Sequence, residues 1–190
     1  MREIKKILSY YDKGGEFTAF DTETTGLYSR CERIVEIGAY RFNKDGVIGV
    51  YNVLVNPEKP MPKEAFMVNG ISDNMLVNQP TFDIIAGNFM DFIADSILIA
   101  HNANFDISFL NMELARINKP LLCTPCVPAA DTLKITRKLY PNLGKYNLQF
   151  LANHFSLDKG NAHRASDDAR VCMEIFKNCM SFLSCKLQKN

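Results

Sequence analysis

FTAFDTETTGL, Phe17 to Leu27, is the stretch from which the rest of the chain can be read. Glu16 to Asp21 has the apolar, β-prone composition of a short strand, and Thr24-Thr25-Gly26 is an exit from it. Side chains two apart on a strand share a face, so Asp21 and Glu23 emerge together where the chain leaves the sheet. One short segment thereby offers two carboxylate ligands to a single cation.

Working outward, RIVEIGAYRFN (Arg33 to Asn43) and VIGVYNVLVN (Val47 to Asn56) read as strands joined by a hairpin turn at Lys44-Asp45-Gly46. Upstream, residues 1–15 place Ile4, Ile7, Leu8 and Tyr11 at helical spacing before Lys13-Gly14-Gly15, an N-terminal amphipathic helix preceding a domain over residues 16–190. Downstream, Pro57 to Pro80 holds four of the eight prolines and reads as loop with short helical turns. Phe82, Ile85, Phe89, Phe92 and Ile93 then share a helical face, with Thr81 and Asp83 suited to its first turn. SILIA (Ser96 to Ala100) is a buried strand feeding a helix that carries Phe105, Phe109, Met112, Leu114 and Ile117 and stops before Pro120. A short strand over Pro128 to Asp131, helices over Leu133 to Leu139 and Leu148 to Phe155, and a long terminal helix from Ala165 to Leu183 complete the pattern. Strands in a meander followed by strands alternating with helices predict an α/β domain with a mixed sheet flanked by helices. Its site is expected near the carboxyl ends of the parallel strands.

The 190 residues are the size of one globular domain, and 47% apolar with 23% charged residues excludes wholesale disorder. The 22 Lys and Arg against 21 Asp and Glu leave a charge of +1, which excludes nucleic-acid binding through a global basic field; such binding has to be local or metal-assisted. No stretch approaches about 18 uninterrupted apolar residues, and MREIKKILSYYDKGG lacks the features of a signal peptide, so no membrane contact and a cytoplasmic location are expected. The six cysteines are then expected to be reduced. Cys123-Thr-Pro-Cys126 has the spacing of a zinc or redox site, yet no second pair follows, and Pro125 and Pro128 disfavour the helix start that a redox motif needs. A plain loop is the expectation there.

Two further places deliver acids at the end of an apolar element. Asp106 ends HNANFD directly after SILIA, although helix-dipole stabilisation alone also puts a charge in a first turn. His163-Arg-Ala-Ser-Asp167-Asp168 stands at the mouth of the terminal helix, with Asp167 and Asp168 both open as ligands. Four carboxylates gathered without partners repel and raise one another's pKa, so the cluster is expected only with cations, and two Mg²⁺ balance four carboxylates. Two ions about 4 Å apart serve in-line displacement at phosphorus by holding the attacking water and the leaving oxygen. A histidine beside them can take a proton near neutral pH.

FDTETTGL, HNANFD and HRASDDA, in this order and at these separations, resemble the three exonuclease motifs of the DEDDh 3′→5′ exonucleases. That family belongs to the RNase H-like superfamily and includes the exonuclease domain of the proofreading (epsilon) subunit of bacterial DNA polymerase III. The resemblance runs from about Phe17 to about Phe176, and RIVEIGAYRF, VNGIS, ADTLKITRKLYPN and YNLQFLANHFSLD continue it.

The resemblance implies an RNase H-like fold with a five-stranded mixed β-sheet and helices on both sides. It implies two divalent metal ions, Mg²⁺ or Mn²⁺, held by Asp21, Glu23, Asp106 and Asp168, the last preferred to Asp167 because the family spaces its histidine and aspartate by four residues. His163 becomes the general base, which puts the chain in the histidine branch of the superfamily and not the tyrosine branch. Thr24 and the backbone around Gly26 and Leu27 are implied at the terminal nucleotide, with Leu27 and Phe105 near its base or sugar. A further contact is implied at Asn69, where many relatives carry histidine. The implied reaction is hydrolysis from the 3′ end of single-stranded DNA, releasing nucleoside 5′-monophosphates. RNA trimming at the same site is the alternative, since a metal site reads phosphates and not the sugar. A DNA polymerase or repair protein is the implied partner, with a place inside a polymerase core disfavoured because the chain ends soon after the terminal helix.

Overall fold

Phe17, Ala19 and Phe20 are buried, and in a computed structural model of the chain, which describes residues 1–122 and 129–188, they lie at the centre of the sheet. Along β1 (Phe17–Thr24), Phe17 and Ala19 enter one apolar cluster and Phe20 enters another, as period two requires of a strand covered on both faces. Asp21 and Glu23 continue the face of Phe17 and Ala19. β1 pairs antiparallel with β2 (Ile34–Phe42), and β2 antiparallel with β3 (Val47–Leu54). Their turn is closed by Asn43, whose side-chain oxygen accepts from the Asp45 and Gly46 N–H groups. On its other side β1 runs parallel to β4 (Ile97–Ala100), and β4 parallel to β5 (Ala130–Asp131). The order is β3-β2-β1-β4-β5, the five-stranded mixed sheet that was expected.

α1 (Arg2–Asp12) covers the Phe17 face and buries Ile4 and Leu8 there. α2 (Lys63–Asn69) and α3 (Asp73–Leu76) are the short turns of the proline-rich segment. α4 (Phe82–Ile93) and α5 (Asn104–Arg116) cover the Phe20 face, while α6 (Thr132–Leu139), α7 (Leu148–His154) and α8 (Ala165–Gln188) join α1 on the first. Among the described residues no helix is long and apolar enough to cross a membrane.

The structure departs from the sequence reading in three local details. β1 runs three residues past Asp21, because Thr22 to Thr24 still find ladder partners on β2, with Glu23 opposite Glu36 and the register slipping after it. The strand expected from Pro128 is only Ala130–Asp131; Asp131 accepts from the Leu133 N–H at 3.0 Å and caps α6. Thr81 precedes α4 as expected, but its hydroxyl bonds the Asp83 carboxylate and not the helix backbone. Cys123, Cys126 and Pro128 lie outside the described residues.

Candidate metal centre

Because β1 and β4 are parallel, their carboxyl ends open on one edge of the sheet, and the chain leaving β4 enters α5 at once. Asp21 and Glu23 project from β1, Asp106 from the first turn of α5 and Asp168 from the first turn of α8. A helix N-terminus carries partial positive charge, so both helices present their carboxylates at the end that favours them. α8 reaches the sheet because Gly38 of β2 sits opposite Asp21. A Cβ on Gly38 would lie 2.2 Å from the Ala165 carbonyl carbon and 2.2 Å from the Ser166 nitrogen. The absent side chain lets the start of α8 rest on backbone.

Asp106 is held by Thr22, whose N–H and hydroxyl donate to one of its carboxylate oxygens at 3.0 and 2.8 Å. Asp168 accepts from Gln149 Nε2 at 3.2 Å on one oxygen and from the His163 N–H at 3.1 Å on the other. Ligand atoms of Glu23, His163 and Asp168 lie within 4.8 Å of one another, close enough to share one ion.

Burial raises the Asp21 carboxyl well above its ordinary range, and repulsion from Asp106, Glu23, Asp168 and Glu36 adds to it. Burial, then Asp168 and Glu36, push Glu23 up to about 8. Burial carries Asp106 to about 7 against the Thr22 hydrogen bonds, which favour its charged form. Asp168 is raised by burial and held back by the His163 N–H. Four acids that resist ionising side by side form a site short of positive charge. Its carboxylate oxygens are a donor set that fits hard divalent cations, and one imidazole stands beside them.

The residues expected to touch substrate divide into two groups. Leu27 is 76% exposed, and so is its neighbour Tyr28, which sequence reasoning missed. Thr24 is buried and its hydroxyl donates to the Gly26 carbonyl at 2.6 Å, so that group is used within the protein. Asn69 is also buried: its amide donates to the Thr24 carbonyl at 3.4 Å and favours the charged form of nearby Glu23, and its oxygen accepts from the Ile71 N–H at 3.0 Å. Phe105 is half-buried with its ring 4.9 Å from Phe109. Gln149, Glu36 and Arg164 also belong to the neighbourhood and were missed. Glu36 had a legible signal, since a lone acid inside the apolar run IVEIGAY requires a buried partner.

A family model described as Exonuclease (RNase_T) matches residues 18–176. The chain is 48% identical over 162 residues to DNA polymerase III subunit epsilon of Treponema pallidum (strain Nichols), covering 84% of this chain and 74% of that protein. It is 37% identical over 162 residues to the PolC-type DNA polymerase III of Clostridium perfringens, of which it spans 11%. Exonuclease I of E. coli in complex with a dT13 oligonucleotide superposes with a TM-score of 0.81 at 17% identity, over 92% of this chain and 43% of that one. The nuclease domain of 3′hExo, a DEDDh family member, bound to rAMP, superposes with a TM-score of 0.75 at 16% identity, over 91% of this chain and 94% of that one. At these identities the two structures speak for the fold.

Proposed function

The chain belongs to the DEDDh 3′→5′ exonuclease family, and on that premise we propose that it hydrolyses single-stranded DNA from the 3′ end, one nucleoside 5′-monophosphate at a time. Two divalent cations, Mg²⁺ or Mn²⁺, held by Asp21, Glu23, Asp106 and Asp168, supply when bound an acidified water and charge stabilisation at the leaving 3′-oxygen. His163 takes the proton of the attacking water; it is exposed, and a ring nitrogen lies within 4.8 Å of carboxylate oxygens of Glu23 and Asp168. Thr22 and Gln149 orient Asp106 and Asp168 by direct hydrogen bonds. Leu27 and Tyr28 offer exposed apolar surface on which a base can stack without reading its identity. Asn69 and Thr24 act by bracing the Glu23 segment.

The observation that carries this reading is the convergence of Glu23, His163 and Asp168 at the end of β1, where Asp21 and Asp106 are also short of positive charge. RNA is the second reading, favoured by the likeness to a nuclease domain bound to rAMP. The relative from Treponema is a polymerase subunit, so a DNA polymerase is the first partner to test by co-purification. A time course on 5′-labelled single-stranded DNA and the matching RNA, with Mg²⁺ or Mn²⁺ and an EDTA control, tests the reaction. A ladder shortening from the 3′ end of DNA supports the proposal, preferential RNA shortening moves it to RNA, and no metal-dependent cleavage of either overturns it.

A further inference from the structure

Glu36 lies on β2 directly across from Glu23, 1% exposed, a fifth acid beside four that already repel. Both its oxygens are engaged, and on the same short segment. Oε1 accepts from Arg164 Nη2 at 2.7 Å, while Oε2 accepts from Arg164 Nε at 3.1 Å and from the Ala165 N–H at 3.0 Å. The carboxylate therefore grips the guanidinium as a two-pronged fork and caps the first turn of α8 at once. One residue earlier, His163 has φ 63, a left-handed conformation that L residues avoid unless the surroundings impose it. Its N–H is tied to Asp168. Three successive residues are thus fixed, His163 to the helix that follows it and Arg164 and Ala165 to the strand beneath.

We propose that Glu36 and Arg164 are positioning residues for the reaction, their fork holding the His163 imidazole over Glu23 and Asp168. The inference rests on the reading of His163 as the general base. Glu36 spends its charge on Arg164 and so cannot serve as a fifth metal ligand without releasing the loop that carries His163. Arg164 has a side chain 37% exposed against 1% for Glu36, so the pair is anchored at the buried acid and reaches outward to the loop. A lysine at position 164 would keep the charge and lose the fork, and with it the orientation.

A double-mutant cycle tests this, with kcat and KM measured on single-stranded DNA in excess over enzyme, and cation affinity measured by Mn²⁺ titration. Arg164→Ala and Glu36→Gln are each expected to lower kcat about 10- to 100-fold while KM and Mn²⁺ affinity stay near wild type. Arg164→Lys recovers part of the loss. On a His163→Ala background, Arg164→Ala is expected to cost nothing further, because the group it positions is gone. A loss that adds in full to that of His163→Ala, or wild-type kcat in Arg164→Ala and Glu36→Gln, overturns the proposal and leaves the general base standing. Wild-type kcat in His163→Ala overturns the general base and the proposal with it. Should Arg164→Ala fail to fold, Arg164→Lys and the near-isosteric Glu36→Gln carry the same cycle.

Discussion

Stripping the protein of divalent cations and raising the pH from about 6.5 to about 8.5 should lower its melting temperature. Without cations Glu23 keeps its proton up to about 8 and Asp106 up to about 7, because burial disfavours their charged forms, whereas in the unfolded chain both are ionised from about pH 5 upward. Across this range the folded form holds protons that the unfolded form has lost, so each rise in pH favours unfolding. Each pH unit over which one extra proton is held is worth about 1.4 kcal/mol, so Glu23 contributes about 2 kcal/mol within the window and Asp106 about 0.7. The acids repel one another, so the two are not independent, and with Asp21 raised in the same direction their joint effect is at least about 2 kcal/mol. At about 2–4 °C per kcal/mol for a chain of this size, the fall is at least roughly 4–8 °C.

Asp21, raised by burial in the same direction, adds to the fall within this window, whereas the buried histidine and thiols lie outside it. Burial lowers the His101 pKa, which gives stability that rises with pH, but only below about 6.5, where an unfolded histidine is charged. The thiols of Cys172 and Cys179, pushed up by burial, add a loss only above about 8.5, where unfolded thiols ionise. Scanning calorimetry in EDTA and in excess Mg²⁺ reads the effect, and Mg²⁺ is expected to abolish the fall by neutralising the cluster. A melting temperature that stays level or rises in EDTA, or that falls equally in Mg²⁺, refutes the reasoning.

Asp21→Ala should abolish metal-dependent cleavage and raise the metal-free melting temperature, since it removes a ligand and relieves repulsion; circular dichroism showing an unfolded chain would count against the site. His163→Ala should cost about 100-fold in kcat with Mn²⁺ binding retained, and a wild-type rate would remove it as the base. Gly38→Ala should destabilise by about 1–3 kcal/mol and slow turnover, because its Cβ would meet α8 backbone at 2.2 Å; an unchanged melting curve would contradict that close approach. Leu27→Ala and Tyr28→Ala should raise KM and leave stability within about 0.5 kcal/mol, since both side chains are exposed; an unchanged KM would take them off the substrate path.

Much of the site was legible because its signals are local. Period two puts Asp21 and Glu23 on one face whatever the sheet around them, and strand-to-helix junctions at SILIA and HRAS predict where Asp106 and Asp168 emerge. Asp167 and Asp168 were separable only by resemblance, and in the structure their side chains take different partners. Asp168 turns to the cluster and accepts from Gln149 and His163, while Asp167 accepts from the Asn161 N–H and pairs with Arg170 on the outer side. The protein partners of Thr24 and Asn69 were not legible, because a polar side chain at the end of an element reads the same whether its partner is a ligand or the protein. Here the partners are the Gly26 carbonyl and the Thr24 carbonyl.

The sequence by itself determined the elements, the mixed sheet and the inventory of acids, because propensity, alternation and capping act within a few residues of the chain. Only the tertiary structure decided which charges meet. Glu36 and Arg164 stand 128 positions apart, and no local pattern pairs them. Antiparallel register sets Glu36 across from Glu23 and Gly38 across from Asp21, and the missing side chain of Gly38 admits the start of α8 to that face. The balance between five carboxylates and one guanidinium is therefore a property of packing, and with it the need for cations that the acids share.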